Sequence, residues 1–173
     1  MKLLIVVDMQ NDFVSGVLGT PEAQAIVPAV AAKVREYIKN GDKVIYTRDT
    51  HFDNYLDSAE GKKLPVPHCI KYSEGWQIVP EVYEFGSAVI DKTTFGYTGW
   101  NIFPVGGIGH FESIELVGVC TGICVISNAM ILKANFPETP IVVDASCCAC
   151  VTPESHKNAL EAMKMCQINV VGE

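Results

Sequence analysis

Basic clusters are missing from this chain. Its 173 residues include 13 Lys or Arg against 20 Asp or Glu, a formal charge of −7, and no basic run is longer than Lys62-Lys63. The electrostatic footprint expected for nucleic acid or an anionic membrane surface is therefore absent. Long apolar runs are missing as well. The longest are strand-sized, well short of the roughly 20 residues that a membrane span needs. No cleavable leader is expected, because Met1-Lys2-Leu3-Leu4-Ile5-Val6-Val7 meets Asp8 early and no small-residue cleavage site follows. Seven cysteines form an odd set without an export signal, so they read as reduced thiols of a cytoplasmic protein. Cys120 and Cys124 are one residue too far apart for a C-x-x-C redox pair. Internal repeats, low-complexity tracts and linkers are also lacking, and residues 1–173 read as one domain.

What is present is an apolar fraction of 49%, arranged as short buried runs between amphipathic stretches. Strands are predicted at Leu3–Val7, Lys43–Thr47, Ala88–Ile90, Ser113–Val119, Pro140–Asp144 and Ile168–Val171. Helices are predicted at 22–39, 122–135 and 153–165, with a short one near 74–84. Thr20-Pro21 opens the first helix and Asn40-Gly41 closes it, while Thr152 caps the last with Pro153 behind it. Strands that are apolar throughout and alternate with helices imply a parallel sheet covered on both faces. The expected fold is a three-layer, doubly wound α/β domain of about six strands.

In such a sheet, ligands bind beyond the carboxyl ends of the strands. Asp8 ends the first strand, Asp49 and His51 follow the second, Asp91 and Lys92 end the third, and Cys124 follows the fourth. These reactive groups converge on one edge although they are far apart in sequence. Val117-Gly118-Val119-Cys120-Thr121-Gly122-Ile123-Cys124-Val125 reads as a strand turning sharply into a helix, with Cys124 on the first turn. Unpaired backbone N–H groups and the positive end of the helix dipole favour a thiolate there. The plainer reading is a small apolar residue at a strand–helix junction.

Taken together, Asp8, Lys92 and Cys124 form a candidate catalytic set. A thiol needs a base, which Asp8 supplies, and a buried Lys92 would stabilise the thiolate and keep the carboxylate ionised. The N–H groups of Cys120 and Cys124 are placed to meet a developing oxyanion. Singly, Asp8 reads equally as a strand cap and Lys92 as a snorkelling surface residue. Asp49, His51 and His68 form a second set: three N/O donors that leave positions open, suited to zinc, manganese or iron. The plainer alternative is a turn cap and a loop histidine. Cys147-Cys148-Ala149-Cys150 has no matching Cys or His pair elsewhere, and reads as small residues at a strand end. His110 and His156 read as surface or helix residues.

Val6-Val7-Asp8-Met9-Gln10-Asn11-Asp12-Phe13, Thr47-Arg48-Asp49-Thr50-His51, Leu64-Pro65-Val66-Pro67-His68-Cys69, Ile90-Asp91-Lys92-Thr93-Thr94-Phe95, Gly118–Val125 and Val142-Val143-Asp144-Ala145 occur in that order. Together they resemble the isochorismatase-like cysteine hydrolases, most closely the nicotinamidases. The resemblance implies an Asp8–Lys92–Cys124 triad, a thioester intermediate and a cis peptide between Val119 and Cys120. It further implies a divalent metal, zinc first, held by Asp49, His51 and His68 against the ring nitrogen of a small amide such as nicotinamide. Phe13, Phe95, Tyr97 and Trp100 are candidates for an aromatic wall around that substrate, or equally for the core. Relatives act on other small amides, N-carbamoyl compounds or isochorismate-like enol ethers, and a non-catalytic metal or ligand sensor is the rival from another class. The chain departs from the nicotinamidase pattern at Gly122, where an acidic residue is common, and in a compressed segment after Lys92. It also lacks a tryptophan before Leu64-Pro65-Val66-Pro67-His68. The apolar helix faces suit a homo-oligomer.

Overall fold

Apolar side chains on both faces of a strand need cover on both faces, and β1 (Leu3–Val7) is buried at every residue. Leu3, Ile5 and Val7 join one apolar cluster, and Leu4 and Val6 join another. The computed structural model, which describes residues 1–102 and 111–173, has six strands in one parallel sheet. The others are β2 (Lys43–Asp49), β3 (Ala88–Lys92), β4 (Ile114–Val119), β5 (Ile141–Ala149) and β6 (Asn169–Val171). Their order across the sheet is β3-β2-β1-β4-β5-β6.

A short helix, α1 (Asn11–Val14), leads into α2 (Pro21–Lys39). α2 covers the Leu4/Val6 face through Ala23, Ile26, Val30 and Val34. The opposite face is covered by α3 (Ile126–Asn135) and α4 (Pro153–Met165), through Ala129, Leu132, Leu160 and Met163. Each Leu, Ile, Val or Met side chain so removed from water contributes about 1.5–3 kcal/mol. The predicted caps are present. Thr20 Oγ1 accepts the Ala23 N–H at 3.0 Å, and Thr152 and Ser155 form a reciprocal capping box. No helix among the described residues is long and apolar enough to cross a membrane.

β2 and β3 each run two residues further than predicted, and three other elements also differ from expectation. β5 continues past Asp144 to Ala149. Asp144 does not stop the strand because Lys33 pairs with it at 2.5 Å and the Ser146 hydroxyl bonds it at 2.6 Å. No helix forms near 74–84. Its backbone bonds go outward instead: Asn11 N–H to Gln77 O, Asp12 N–H to Gly75 O, and Val79 N–H to Met9 O. Third, α3 starts at Ile126, later than predicted, for a reason that concerns the site.

The chain leaves β1 outward to β2 and β3, then returns to lay β4 against the other side of β1. That reversal opens a crevice between the carboxyl ends of β1 and β4. Close approach there depends on Gly118, whose φ is +114°; a Cβ at that position would stand 2.1 Å from the Val7 carbonyl oxygen.

Candidate active site

β1 ends at Asp8, which leaves the sheet with a φ of +49°. Its carboxylate is fully buried: Oδ1 accepts the Thr47 hydroxyl at 2.6 Å, and Oδ2 lies 2.7 Å from Lys92 Nζ. β3 delivers Lys92 beside Asp49 of β2, by parallel register. The Lys92 ammonium also lies 3.5 Å from Cys124 Sγ and 3.6 Å from Asp49 Oδ1. One cation therefore touches an acid, a thiol and a second carboxylate. Exposure is 0% for Asp8, 2% for Lys92 and 5% for Cys124, so water screens these contacts little.

Cys124 arrives by an unusual route. The peptide joining Val119 to Cys120 is cis. Thr121–Val125 then wind as a wide turn in which the Val125 N–H reaches back five residues to the Cys120 carbonyl, at 3.1 Å. Cys124 thus precedes α3 instead of lying on its first turn. The thiolate expected at a helix start is not favoured either. Burial, joined by the Asp8 charge and opposed by Lys92, drives the Cys124 thiol well above its ordinary range. The sulfur keeps its proton until a base takes it. Burial also raises Asp8 above the usual carboxylate value although Lys92 pulls the other way, which makes Asp8 the stronger base. Burial works against the charge on Lys92, but Asp8, Cys124 and Asp49 together hold it firmly protonated.

Asp49, His51 and His68 do come together, and Glu60 joins them. One donor atom from each of the four lies within 4.8 Å of all the others. His51 Nε2 is 3.0 Å from Asp49 Oδ2 and 3.6 Å from Glu60 Oε1. His68 Nε2 is 3.7 Å and 3.8 Å from the same two oxygens. His68 Nδ1–H, assigned as the donor, bonds the Val66 carbonyl at 2.8 Å and so turns the Nε2 lone pair into the cluster. Two imidazoles and two carboxylates of this geometry fit a divalent cation. Burial would raise Asp49, but its bonds to His51 and His68 and the Lys92 charge prevail and hold it well below the usual carboxylate range. Glu60 escaped the sequence reading because a lone Glu in an irregular loop carries no spacing signal.

Three further side chains hold the site and were not singled out from sequence. Gln10 is fully buried; its Oε1 accepts the Asp49 N–H at 2.7 Å, and its Nε2 donates to the carbonyls of Asp49 and Trp76, both at 2.9 Å. Asn128 on α3, also fully buried, donates to the Cys124 carbonyl at 2.8 Å and the Phe95 carbonyl at 3.2 Å. Its Oδ1 accepts the Tyr97 N–H and the Trp100 indole N–H, each at 2.9 Å. Asp12 accepts the Cys69 N–H at 2.7 Å, which fixes the loop next to His68.

A cavity of about 790 Å³ opens on Cys124 and on all four members of the candidate metal-binding cluster. Phe13 and Phe95 line it, as do Leu18, Leu64 and Ile123. Phe13 packs its ring 5.4 Å from that of His68. Tyr97 and Trp100 correct the expected aromatic wall. Trp100 is fully buried in the core, with Tyr97 edge-on against it at 5.1 Å, because Asn128 draws both inward. Cys120 and Cys124 both stand on the cavity wall. His156 lies on α4, as one of the two expected readings had it, and its Nδ1 is 2.8 Å from the buried Thr121 hydroxyl, bracing the turn ahead of Cys124. His110 lies outside the described residues.

A doubly wound parallel sheet whose carboxyl edge gathers an acid, an ammonium and a thiol around a cavity defines a hydrolase. The isochorismatase domain model matches residues 2–172, and the chain belongs to that family. A nicotinamidase of Saccharomyces cerevisiae is 24% identical, with 99% of each chain covered. The crystal structure of a nicotinamidase/pyrazinamidase from Bacillus subtilis superposes with a TM-score of 0.86 at 25% identity, covering 98% of both chains. A pyrazinamidase of Pyrococcus horikoshii, solved in complex with zinc, has a TM-score of 0.83 at 26% identity and covers 99% of both.

Proposed function

We propose that this chain hydrolyses the carboxamide of a small nitrogen heteroaromatic, nicotinamide first, to the acid and ammonia through a thioester on Cys124. The observation that carries the reading is the Lys92 ammonium, which stands 2.7 Å from the Asp8 carboxylate and 3.5 Å from the Cys124 sulfur at the cavity. The similarity to nicotinamidases along nearly the full chain supports it.

Asp8 takes the thiol proton as Cys124 attacks the carboxamide carbon. The oxyanion then accepts hydrogen bonds from the Cys120 and Cys124 N–H groups. Lys92 stays charged and offsets the negative charge that builds on sulfur and oxygen. Asp8 returns its proton to the departing ammonia. It then draws a proton from water as that water attacks the thioester; the C–S bond breaks, the acid departs and the Cys124 sulfur takes the proton back from Asp8. Phe13 and Phe95 flank the ring and exclude solvent. Asp49, His51, Glu60 and His68 would hold a divalent cation, zinc being the first choice, which when bound supplies a Lewis-acidic partner for the ring nitrogen. The role fits pyridine nucleotide salvage in the cytoplasm, where the cysteines, all free, stay reduced.

Ammonia release from nicotinamide, pyrazinamide and an N-carbamoyl amine, with isochorismate hydrolysis in parallel, tests the substrate class. Nicotinamide or pyrazinamide should be turned over fastest. Cys124→Ala should abolish turnover while circular dichroism and metal content stay as in the native chain. Undiminished ammonia release by that variant would falsify the mechanism.

A further inference from the structure

The nucleophile's neighbourhood holds a second thiol pair that amide hydrolysis does not use. Parallel register sets Gly118 opposite Cys148 and Val119 opposite Ala149. Cys120 and Cys150 are the residues that directly follow this last pair. Both residues line the cavity, and their thiols hydrogen bond to each other. Cys147 and Cys148 are elsewhere: Cys147 packs in one apolar cluster and Cys148 in the other.

We propose that Cys120 and Cys150 are an oxidative modification site, closed to a disulfide on the cavity wall by a small hydroperoxide. Cys150 is the attacking sulfur. The Cys120 thiol, the Ser155 hydroxyl and the N–H groups of Gly122 and Val151 all donate to it, and against the opposing effect of burial they lower its pKa from the ordinary thiol value. The Gly122 N–H lies 3.4 Å from that sulfur, and a Cβ on Gly122 would crowd it at 3.3 Å. Cys120, donating to Cys150 and half-buried, is pushed above its ordinary range and keeps its proton. A thiolate beside a protonated thiol is the arrangement of an attacking and a resolving cysteine. Cys124, by contrast, holds its proton until Asp8 removes it.

The Cys150 thiolate attacks the terminal oxygen of the hydroperoxide and the O–O bond breaks. Cys150 becomes a sulfenic acid, and the alkoxide or hydroxide leaves and takes a proton from water. Cys120 sulfur then attacks the Cys150 sulfur. The S–O bond breaks, and hydroxide departs with the Cys120 proton as water. Two thiols of a reductant reverse the oxidation. Because Cys120 also supplies an N–H to the oxyanion in the proposed mechanism, closure should stop amide hydrolysis; this consequence rests on that mechanism, whereas the bond itself does not.

The test treats the reduced full-length chain with hydrogen peroxide in stoichiometric steps, caps free thiols with iodoacetamide and maps peptides without reduction. The first product should be a Cys120–Cys150 crosslinked peptide that dithiothreitol returns to two free thiols. In Cys150→Ala and Cys150→Ser the crosslink should vanish, with Cys120 recovered as the capped thiol at the same dose. Recovery of both thiols free at a dose that has already oxidised Cys124 or Cys166 would overturn the proposal. So would a crosslink joining Cys120 to Cys124. Ammonia release should fall in proportion to the crosslink and return with dithiothreitol; unchanged release at full crosslinking would end the claim that the bond stops hydrolysis. A chain that forms the crosslink but never hydrolyses an amide would overturn the proposed function and leave the modification site standing.

Discussion

Replacing Lys92 by Met removes one positive charge and keeps the bulk of the side chain. The ammonium is 2.7 Å from Asp8 Oδ2 and 3.6 Å from Asp49 Oδ1. At an effective dielectric of about 20, Coulomb's law assigns about 6 kcal/mol to the first contact and about 5 kcal/mol to the second. Neither carboxylate can recover that from water, since both are buried. Asp49 keeps its bonds to His51 and His68, so Asp8 is the group that responds. Burial already raises its pKa with Lys92 present. Without Lys92 it should carry a proton at neutral pH and cease to be a base. Loss of a general base costs about 10²–10⁴ in rate, so kcat/KM for ammonia release at pH 7 should fall by that factor. Stability should fall less than the Coulomb sum, because the protonated acid needs no counter-charge; breaking a buried pair costs about 3–5 kcal/mol. The assay is steady-state ammonia release alongside urea unfolding. A Lys92→Met variant that keeps its native kcat/KM within tenfold would refute the assignment of Lys92 as the group holding Asp8 ionised.

The acid limb of kcat/KM should lie above the ordinary carboxylate value of 3.8, because Asp8 must be ionised to act and burial raises it; activity is then lost as pH falls through that raised value. An acid limb at or below 3.8 would count against Asp8 as the base. Single substitutions His68→Ala and Glu60→Gln should each weaken divalent-metal affinity, by about 10-fold or more, measured by competition with a chelator; unaltered affinity in both would dismiss the cluster as a metal site. Asn128→Leu leaves the Tyr97 and Trp100 N–H groups without their carbonyl oxygen, and should cost about 2–4 kcal/mol in urea unfolding. A loss under about 0.5 kcal/mol would mean that the loop from Phe95 to Trp100 is held by other contacts. Asp144 is kept below its ordinary pKa because, against the opposing effect of burial, Lys33 and Ser146 bond it. Its contribution to stability is present above the unfolded carboxylate pKa and is lost as pH falls through the lower folded value; in Asp144→Asn this acid-dependent component should be missing from denaturation curves measured against pH.

Period and punctuation made the scaffold readable. The uniformly apolar run at Leu3–Val7 and the apolar run at Leu116–Val119 can be buried only in the middle of a two-sided sheet, and Thr-Pro pairs at Thr20 and Thr152 mark helix starts by local bonding alone. Asp8, Lys92 and Cys124 were legible because each ends or follows a strand, and a parallel sheet sends all such residues to one edge. The extension of β5 past Asp144 was not legible, since it depends on Lys33, which is far away in the chain. Neither was the absence of a helix near 74–84, whose backbone finds its partners on Met9, Asn11 and Asp12.

Local chemistry written along the chain was therefore enough to determine the layers of the fold, the edge that carries the site and the residue types gathered there. Tertiary packing alone decided how those groups behave. Burial set the Cys124 proton on sulfur where the local turn argued for a thiolate, Asn128 drew Trp100 into the core and away from the cavity, and loop closure brought Glu60 to the two histidines. Hydrogen-bond partners far off in sequence and the exclusion of water appear only once the chain has closed. They are the quantities that fix a pKa, a ligand set and a cavity wall.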